Sequence, residues 1–237
     1  MKLPIASTIV AIALLASGGT QAAGLQAFTA QYQMQRNGSL VGEATFRLQS
    51  TADGWEYDQS TRGTHGMAAL AAANVDERSS LQVIDGVLQL RNYRYRMSTL
   101  VKSSVRTVDV DPAGNSIVIR DKKHVQSFPM QAGVLDPNSV TLAIAQDLAA
   151  GKRGTLSYPV ATRSNVETQR YVVGKQQVLQ VPAGSLRTIV VTRLRDTPNG
   201  RVTAYWFGLD NGYLPVRIVQ NEPNGESWVA SLVSASR

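Results

Sequence analysis

The sequence predicts an all-β, mainly antiparallel protein: a curled meander or open β-barrel-like sheet with one buried α-helix. Apolar and polar residues alternate with a period of two along most of the chain, which is typical of strands. Turn-forming pairs such as Asn37-Gly38 and Asp85-Gly86 recur between these segments. Strands joined by such tight turns must be antiparallel neighbours. A sheet of about ten or more strands curls rather than staying flat.

The N-terminal segment has the organisation of a cleaved signal peptide. Lys2 supplies positive charge, Ile5 to Ala16 is an apolar stretch of about a dozen residues, and small residues precede an expected cleavage after Ala22. This stretch is too short to cross a bilayer, which needs about 20 apolar residues, and no longer apolar run follows it. We therefore expect residues 1–22 to be removed and residues 23–237 to form one β-rich domain in the periplasm. Without a cysteine the chain is not expected to be a lipoprotein.

The first predicted strands form a hairpin. Phe28 to Gln35 alternates, Asn37-Gly38 turns the chain, and Leu40 to Leu48 continues extended. Proline cannot donate to a strand ladder, so Leu214-Pro215 predicts the start of an edge strand. Further strands are predicted at Leu81 to Ile84, Val87 to Met97, Ser103 to Val110, Ser116 to Arg120, Val166 to Val173, Leu186 to Leu194, Val202 to Phe207, Pro215 to Gln220 and Ser227 to Val233.

One segment has the signals of a helix. Asp136 is a capping residue, Pro137 suits the first helical position, and Gly151 closes the segment. Its apolar residues spread over a broad arc of the helical wheel, which predicts burial in the concavity of the curled sheet. A second segment, Met67 to Ala73, is small and apolar and is compatible with either a short helix or a mobile loop.

Composition excludes several classes of protein. The 43% of hydrophobic residues is too high for a disordered chain, and 17% of charged residues is too low for a histone-like nucleic-acid binder. The absence of cysteine excludes disulfides, thiolate catalysis and thiolate metal sites. Only two histidines are present, and no nucleophile elbow, phosphate loop or metalloprotease motif occurs. We therefore assign no catalytic residue, metal or cofactor, and an uncharacterised hydrolase is the third hypothesis for function.

The first hypothesis is a binding or carrier module for a lipid or other amphiphile, held in a groove between sheet and helix. Each methylene removed from water contributes about 0.8 kcal/mol, so an acyl chain favours an enclosed site. The alternative is that the same side chains pack a ligand-free core, as in many small barrels. The candidate ligand-binding residues are Met67, Leu70, Val140, Ile144, Leu148 and Trp206.

The second hypothesis is a structural protein that docks on an anionic envelope polymer or a partner. The net charge is +7, and the period of two places Arg94 and Arg96 on one strand face, with Tyr93 and Tyr95 on the other. Such a strip could meet anionic lipid or polymer, whereas an ordinary solvated face explains the same residues. Nucleic acid is not an expected partner, because the protein is exported and has no basic module of a known type. The candidate anionic-surface residues are Arg94, Arg96, Lys102 and Arg106.

Several motifs in combination resemble a known family. They are Tyr32 with Val41-Gly42-Glu43, then Leu135 to Ser139, Val181 to Gly184, and Trp206 to Arg217. In this combination the chain resembles the exported bacterial domain of unknown function 3108 family, over nearly its whole length after the leader. The resemblance implies a periplasmic β-rich domain with no established activity, and it brings no catalytic residues.

Overall fold

The computed structural model describes residues 24–113, 115–195 and 200–237, so the predicted signal peptide lies outside the described residues. Within these ranges the chain forms fourteen strands and two helices. The helices are α1 (Gly66–Leu70) and α2 (Val140–Ala149). The strands are β1 (Phe28–Arg36), β2 (Ser39–Thr51), β3 (Gly54–Gly63), β4 (Asn74–Ile84), β5 (Val87–Ser98), β6 (Ser103–Asp111), β7 (Ser116–Asp121), β8 (His124–Pro129), β9 (Thr155–Ala161), β10 (Val166–Val181), β11 (Gly184–Leu194), β12 (Val202–Gly208), β13 (Pro215–Asn221) and β14 (Ser227–Ser236).

All fourteen strands belong to one sheet. Its order is β8-β7-β6-β5-β4-β3-β2-β1-β14-β13-β12-β11-β10-β9, and each neighbouring pair is antiparallel. The first and last strands therefore pair in the middle, and β8 and β9 form the two edges. This order confirms the predicted antiparallel, open β-barrel-like sheet with a helix.

The predicted hairpin turns have the required backbone. Asn37 and Gly38 adopt φ of 50° and 80°, and Asp85 and Gly86 adopt 50° and 78°. Positive φ at both central residues is the signature of a type I′ turn, whose twist matches that of the flanking strands. These two turns thus set the registers of β1 with β2 and of β4 with β5.

The prediction that Pro215 begins an edge strand was wrong. Strand β13 lies inside the sheet, between β12 and β14. Pro215 is tolerated there because it is the first residue of the strand and lies at a register shift opposite Phe207. Its carbonyl accepts a hydrogen bond of 2.6 Å from the Tyr32 hydroxyl.

The connection from β8 to α2 contacts both halves of the sheet. Leu90 of β5 donates its backbone N–H to the carbonyl of Val134. Leu135 makes a parallel bridge to Val160 of β9, and the N–H of Ala161 bonds to its carbonyl. This connection therefore anchors the segment that leads into α2 between two distant strands.

Asp136 caps the turn before α2, whereas the sequence predicted that it caps the helix itself. Its carboxylate accepts the backbone N–H groups of Asn138 and Ser139, at 2.7 and 3.0 Å. Residues 137–139 form a turn, and the regular helix begins at Val140, so Pro137 does not lie at the first helical position. The predicted burial of the helix is confirmed, with Ile144 fully buried.

Candidate functional site

An apolar groove runs beside α2. It has a volume of about 340 Å³ and lies between the helix, the N-terminal segment before β1 and the loop before β13. Each of these elements contributes apolar side chains to the groove, as is common in ligand pockets. The groove is lined mainly by Leu25, Phe28, Leu48, Leu142, Ala145, Ala149, Leu214 and Pro215.

A cationic side chain lies at the groove. The Arg237 guanidinium lines it and donates hydrogen bonds to Gln26 Oε1, at 2.7 Å, and to the backbone carbonyl of Asn211. Both acceptors are neutral, and Arg237 has no ion pair with the described residues. The groove therefore combines an apolar lining with a positive charge that a ligand could neutralise.

The helix residues predicted to bind a ligand lie on a different face. Val140, Ile144 and Leu148 are buried in the core cluster. None of them lines the apolar groove or the three other cavities described for residues 24–113, 115–195 and 200–237. Thus the space under this face of α2 is filled, and the groove is formed instead by their neighbours Leu142 and Ala145.

The other predicted ligand-binding residues are dispersed. Met67 is 77% exposed on α1, and Leu70 ends that helix, its side chain being outside the described part. Helix α1 is anchored near Val41 of β2, seven residues from the groove residue Leu48, or about 23 Å along a strand. Trp206 alternates with Tyr205 along β12 and faces the outside of the sheet, where its indole N–H is buried without a partner. The structure therefore does not bring these three residues together with α2.

The interior of the sheet holds a second site, which we call the arginine cavity. It has a volume of about 300 Å³, and Pro137 and Asn138, just before α2, form part of its wall. Inward-facing side chains from both halves of the sheet complete it. They include Gln59, Glu77, Tyr93, Arg106, Gln169, Tyr171, Arg193, Arg195, Arg201, Thr203 and Tyr205.

One wall of the arginine cavity comes from β4, β5 and β6. Glu77 accepts a hydrogen bond of 2.5 Å from the Tyr93 hydroxyl. Burial raises the pKa of Glu77, and Asp136 raises it further, whereas the Tyr93 hydrogen bond and Arg106 lower it. The Arg106 guanidinium lies 4.8 Å from the ring centre of Tyr95 and 5.9 Å from that of Tyr93.

The opposite wall carries three arginines. Arg193 pairs with Glu167 at 2.8 Å, and Arg201 pairs with Glu222 at 2.7 Å. Arg195 has a lowered pKa, first because of burial and then because Arg193 and Arg201 repel its charge. Positive charge is therefore concentrated on this side of the cavity.

A buried polar network joins this cavity to the start of α2. Asn138 donates its side-chain amide to the Tyr57 carbonyl at 3.1 Å and to Ser79 Oγ at 2.9 Å. Its own Oδ1 is buried and has no hydrogen-bond partner. Burial raises the pKa of Asp136, although bonds from Ser139, Ser79 and Asn138 oppose this effect. The family-like motif around Asp136 thus forms part of the cavity wall.

The predicted basic strip divides between two faces. Arg94 and Arg96 are exposed on the outer face of β5, and neither has an ion pair among the described residues. Arg106 pairs across strands with Tyr95, so it points inward and does not extend the strip. Lys102 joins Arg106 and Arg163 at another opening, of about 330 Å³.

Acidic residues neutralise much of that outer face. Asp76, the cross-strand neighbour of Arg96, pairs with Arg62 at 2.5 Å. Arg78, the neighbour of Arg94, pairs with Asp58 at 2.6 Å. The face is consequently a mixture of charges, as expected of a solvated strand surface.

In the ranges given above, no cluster of three or more histidine, aspartate or glutamate side chains could hold a metal ion. None of the helices in these ranges combines the length and hydropathy needed to cross a bilayer.

Comparison with models of protein families shows to which family this chain belongs. The family model described as "Protein of unknown function (DUF3108)" matches residues 31–233. The chain belongs to the DUF3108 family. This match confirms the resemblance that the sequence motifs indicated. The comparison with curated proteins found no match to this DUF3108 chain.

Two solved structures show what the DUF3108 fold is similar to. A β-barrel-like protein of the domain of unknown function DUF1849 from Brucella abortus has a TM-score of 0.57 at 13% identity, covering 89% of this chain and 97% of that chain. A protein from Bacteroides fragilis, named as exported and with a YmcC-like fold, has a TM-score of 0.32 at 13% identity, covering 89% and 94%. The first similarity supports the β-barrel-like fold alone.

Three arginines of the cavity, Arg193, Arg195 and Arg201, were missed from the sequence, although a signal was present for the first two. Arg193 and Arg195 follow the buried Ile189 and Val191 at intervals of two along β11. That spacing places Ile189, Val191 and Arg193 on the inward face of the strand, and Arg195, one residue beyond its end, lines the cavity as well. Arginine in such a position indicates a polar interior, and the sequence reasoning had followed only the arginines of β5 and β6.

Proposed function

We propose that this DUF3108 protein is a non-enzymatic binding or carrier module of the periplasm. Its ligand in this proposal is a single-chain anionic amphiphile, such as a fatty acid, held in the apolar groove beside α2. The observation that supports it is the combination of a cavity of about 340 Å³, lined by apolar side chains, with the Arg237 guanidinium at its lining. The acyl chain would contact Leu142 and Ala145, and the head group would pair with Arg237.

The energetics favour this class of ligand. Each methylene that leaves water contributes about 0.8 kcal/mol, so an acyl chain binds a preformed apolar groove even without polar contacts. A carboxylate that meets an arginine without a carboxylate partner gains a charge-assisted hydrogen bond. The affinity should therefore come chiefly from the chain, while Arg237 selects the charged head group.

The proposal is tested by calorimetric titration of the purified protein with dodecanoate and with the neutral 1-dodecanol. We expect dodecanoate to bind, and Ala145→Trp to abolish binding because the indole fills the groove. Arg237→Gln should weaken dodecanoate at least fivefold and leave 1-dodecanol unchanged.

Ala113→Trp is the matched control, because Ala113 is exposed in the turn between β6 and β7 and does not line the groove. It should retain the affinity of the parent protein. Thermal unfolding of each variant checks that the fold is kept. Failure of dodecanoate to bind the parent protein, or full binding by Ala145→Trp, contradicts the proposal.

Docking on an anionic envelope polymer through Arg94 and Arg96 is the second candidate. It is supported by the exposure of both side chains and by their lack of ion pairs with the described residues. It ranks below the amphiphile, because the neighbouring Asp58 and Asp76 reduce the net charge of that face.

A further inference from the structure

The arginine cavity differs in chemistry from the apolar groove, and what it binds is independent of the function proposed above. Four arginines and one glutamate are the charged residues of its lining. Arg193 and Arg201 each have a carboxylate partner, whereas Arg106 and Arg195 have none among the described residues. The cavity therefore carries positive charge that the described side chains do not neutralise.

Repulsion within the cavity supports an anionic occupant. The pKa of Arg195 is lowered by burial and by the charges of Arg193 and Arg201, which means that its positive form is disfavoured where it lies. An anion placed among these three guanidinium groups would relieve the repulsion and supply an acceptor for each. This effect agrees with the excess of arginine over glutamate in the lining of the cavity.

Two buried polar atoms in the wall lack hydrogen-bond partners. The Nε of Arg193 is a donor without an acceptor, and Oδ1 of Asn138 is an acceptor without a donor. Buried polar groups are normally paired, so each such atom calls for a partner. Both atoms are enclosed by protein, so they mark unsatisfied polarity within the wall and are not surfaces that a ligand in the cavity contacts directly.

The cavity also presents flat apolar surfaces. The rings of Tyr171 and Tyr205 line it, with centroids 6.3 Å apart. Tyrosine combines an apolar ring with a polar tip, and Tyr171 donates its hydroxyl to Gln169 Oε1 at 2.7 Å. Such rings suit the apolar face of a sugar ring, while the amide and guanidinium groups suit its oxygens.

We propose that the arginine cavity binds a small hydroxylated anion, a sugar unit that carries a carboxylate or a phosphate group. Arg193 and Arg195 hold the anionic oxygens, and the glutamine side chains of the lining meet the ligand hydroxyl groups. The volume of about 300 Å³ lies at the lower end of small-molecule pockets, which fits one monosaccharide unit rather than an oligosaccharide.

The test is calorimetric titration of the purified protein with glucuronate, glucose 6-phosphate, glucose and inorganic phosphate. We expect glucuronate or glucose 6-phosphate to bind, and the one that binds identifies the charged group. Glucose should not bind, and Arg195→Gln should weaken the bound sugar anion at least tenfold. Arg94→Gln, on the outer face of the same sheet, is the matched control and should bind as the parent protein does.

The Arg195 side chain is only partly buried, and it has no ion pair with the described residues, so its replacement should leave the thermal unfolding midpoint near that of the parent protein. The proposal is overturned if neither sugar anion binds the parent protein, or if Arg195→Gln binds as tightly as Arg94→Gln. Equal binding of glucose overturns the role of charge. Inorganic phosphate that binds as tightly as glucose 6-phosphate overturns the role of the sugar.

Discussion

At the scale of single residues, Glu77 links the interior of the sheet to solution pH. Burial is the main cause of its raised pKa, with Asp136 from the segment before α2 adding to it. Tyr93 of β5 and Arg106 of β6 oppose this effect. A carboxyl group of this kind takes up a proton in the folded protein at a pH where the unfolded chain has already lost it.

The sign of the pH dependence follows from that difference. The stability due to Glu77 is fully present below the ordinary pKa of 4.5, and it is lost as the pH rises through the raised pKa of the folded state. We expect Glu77→Gln, which is neutral throughout and still accepts the Tyr93 hydrogen bond, to lose less stability between pH 4 and pH 7. Urea unfolding at several pH values measures this slope. If the free energy of unfolding of Glu77→Gln depended on pH as steeply as that of the parent protein, Glu77 would not be the cause of the pH dependence.

Asn138 illustrates what sequence alone could not reveal about the cavity. It was predicted as part of a helix start, which is correct, since it lies in the turn that Asp136 caps. It bonds to Tyr57, which lies 81 positions away in the chain, and to Ser79, which lies 59 positions away. No local pattern encodes such contacts, because they exist only after the sheet has curled around this turn.

At the scale of elements, α2 has two faces with different roles. Ile144 and Leu148 are fully buried in the core, while Ala145 and Gln146 line the apolar groove. The helix has neither a side-chain cap at Ser139 nor basic residues in its last turn. Its stability must therefore come mainly from the buried face.

This division predicts unequal effects of truncation. Ile144→Ala should lower the free energy of unfolding by about 2–5 kcal/mol, because it removes fully buried methylenes and leaves a cavity. Gln146→Ala, two residues away on the groove side, should change it by less than about 0.5 kcal/mol. Chemical denaturation measures both. Equal losses in the two variants would mean that α2 is not held by its core face.

The sequence predicted only part of β10, because the rest of this strand lacks a hydropathy pattern. Strand β10 was predicted to end at Val173, yet it continues to Val181 through the polar segment 174–180. That segment has no apolar alternation, because the end of the β10–β11 hairpin is largely exposed. Ala183 at its tip bonds to the Leu232 carbonyl of β14, and Arg217 bonds to the Gln180 carbonyl. Pairing with β11 therefore maintains a strand that periodicity could not reveal.

Strand β3 was missed for a related cause. Its outer face carries Glu56 and Asp58, which pair with Arg78, and its inner face carries Gln59 in the wall of the arginine cavity. Trp55 and Tyr57 alternate with these acids only in the first half of the strand, and the inner positions that follow, Gln59 and Thr61, are polar, so the alternation is too short to indicate a strand. The polar interior that defines the candidate site is thus the same feature that conceals this strand from sequence reasoning.

At the scale of the whole molecule, the two sides of the interior enclosed by the sheet differ in how they are filled. The side with α2 is packed with apolar residues such as Ile144 and Phe46, whereas the side beyond Asn138 is polar and hollow. The sequence left open whether the interior was a cavity or a packed core. The fold contains both, and the start of α2 lies at the boundary between them.

The pairing of β1 with β14 has a consequence for chain connectivity. Thr29, near the start of β1, lies opposite Ser236, the last residue of β14, so the first and last strands bring the two ends of the described chain together. Read around that junction, the strands from β9 to β14 followed by β1 to β8 are in their spatial order. The natural chain is therefore equivalent to a circular permutation of a simple meander.

A permutant of residues 24–237 can be made by joining Arg237 to Gly24 through a short glycine-rich linker and opening the exposed loop between Lys152 and Arg153. It should fold to the same sheet, because domains whose termini are close tolerate permutation at exposed loops. It should also refold faster, since the β1–β14 pair becomes a local hairpin and the contact order falls. Stopped-flow refolding of both proteins tests this, and slower refolding of the permutant would show that formation of the β1–β14 pair does not limit the natural rate.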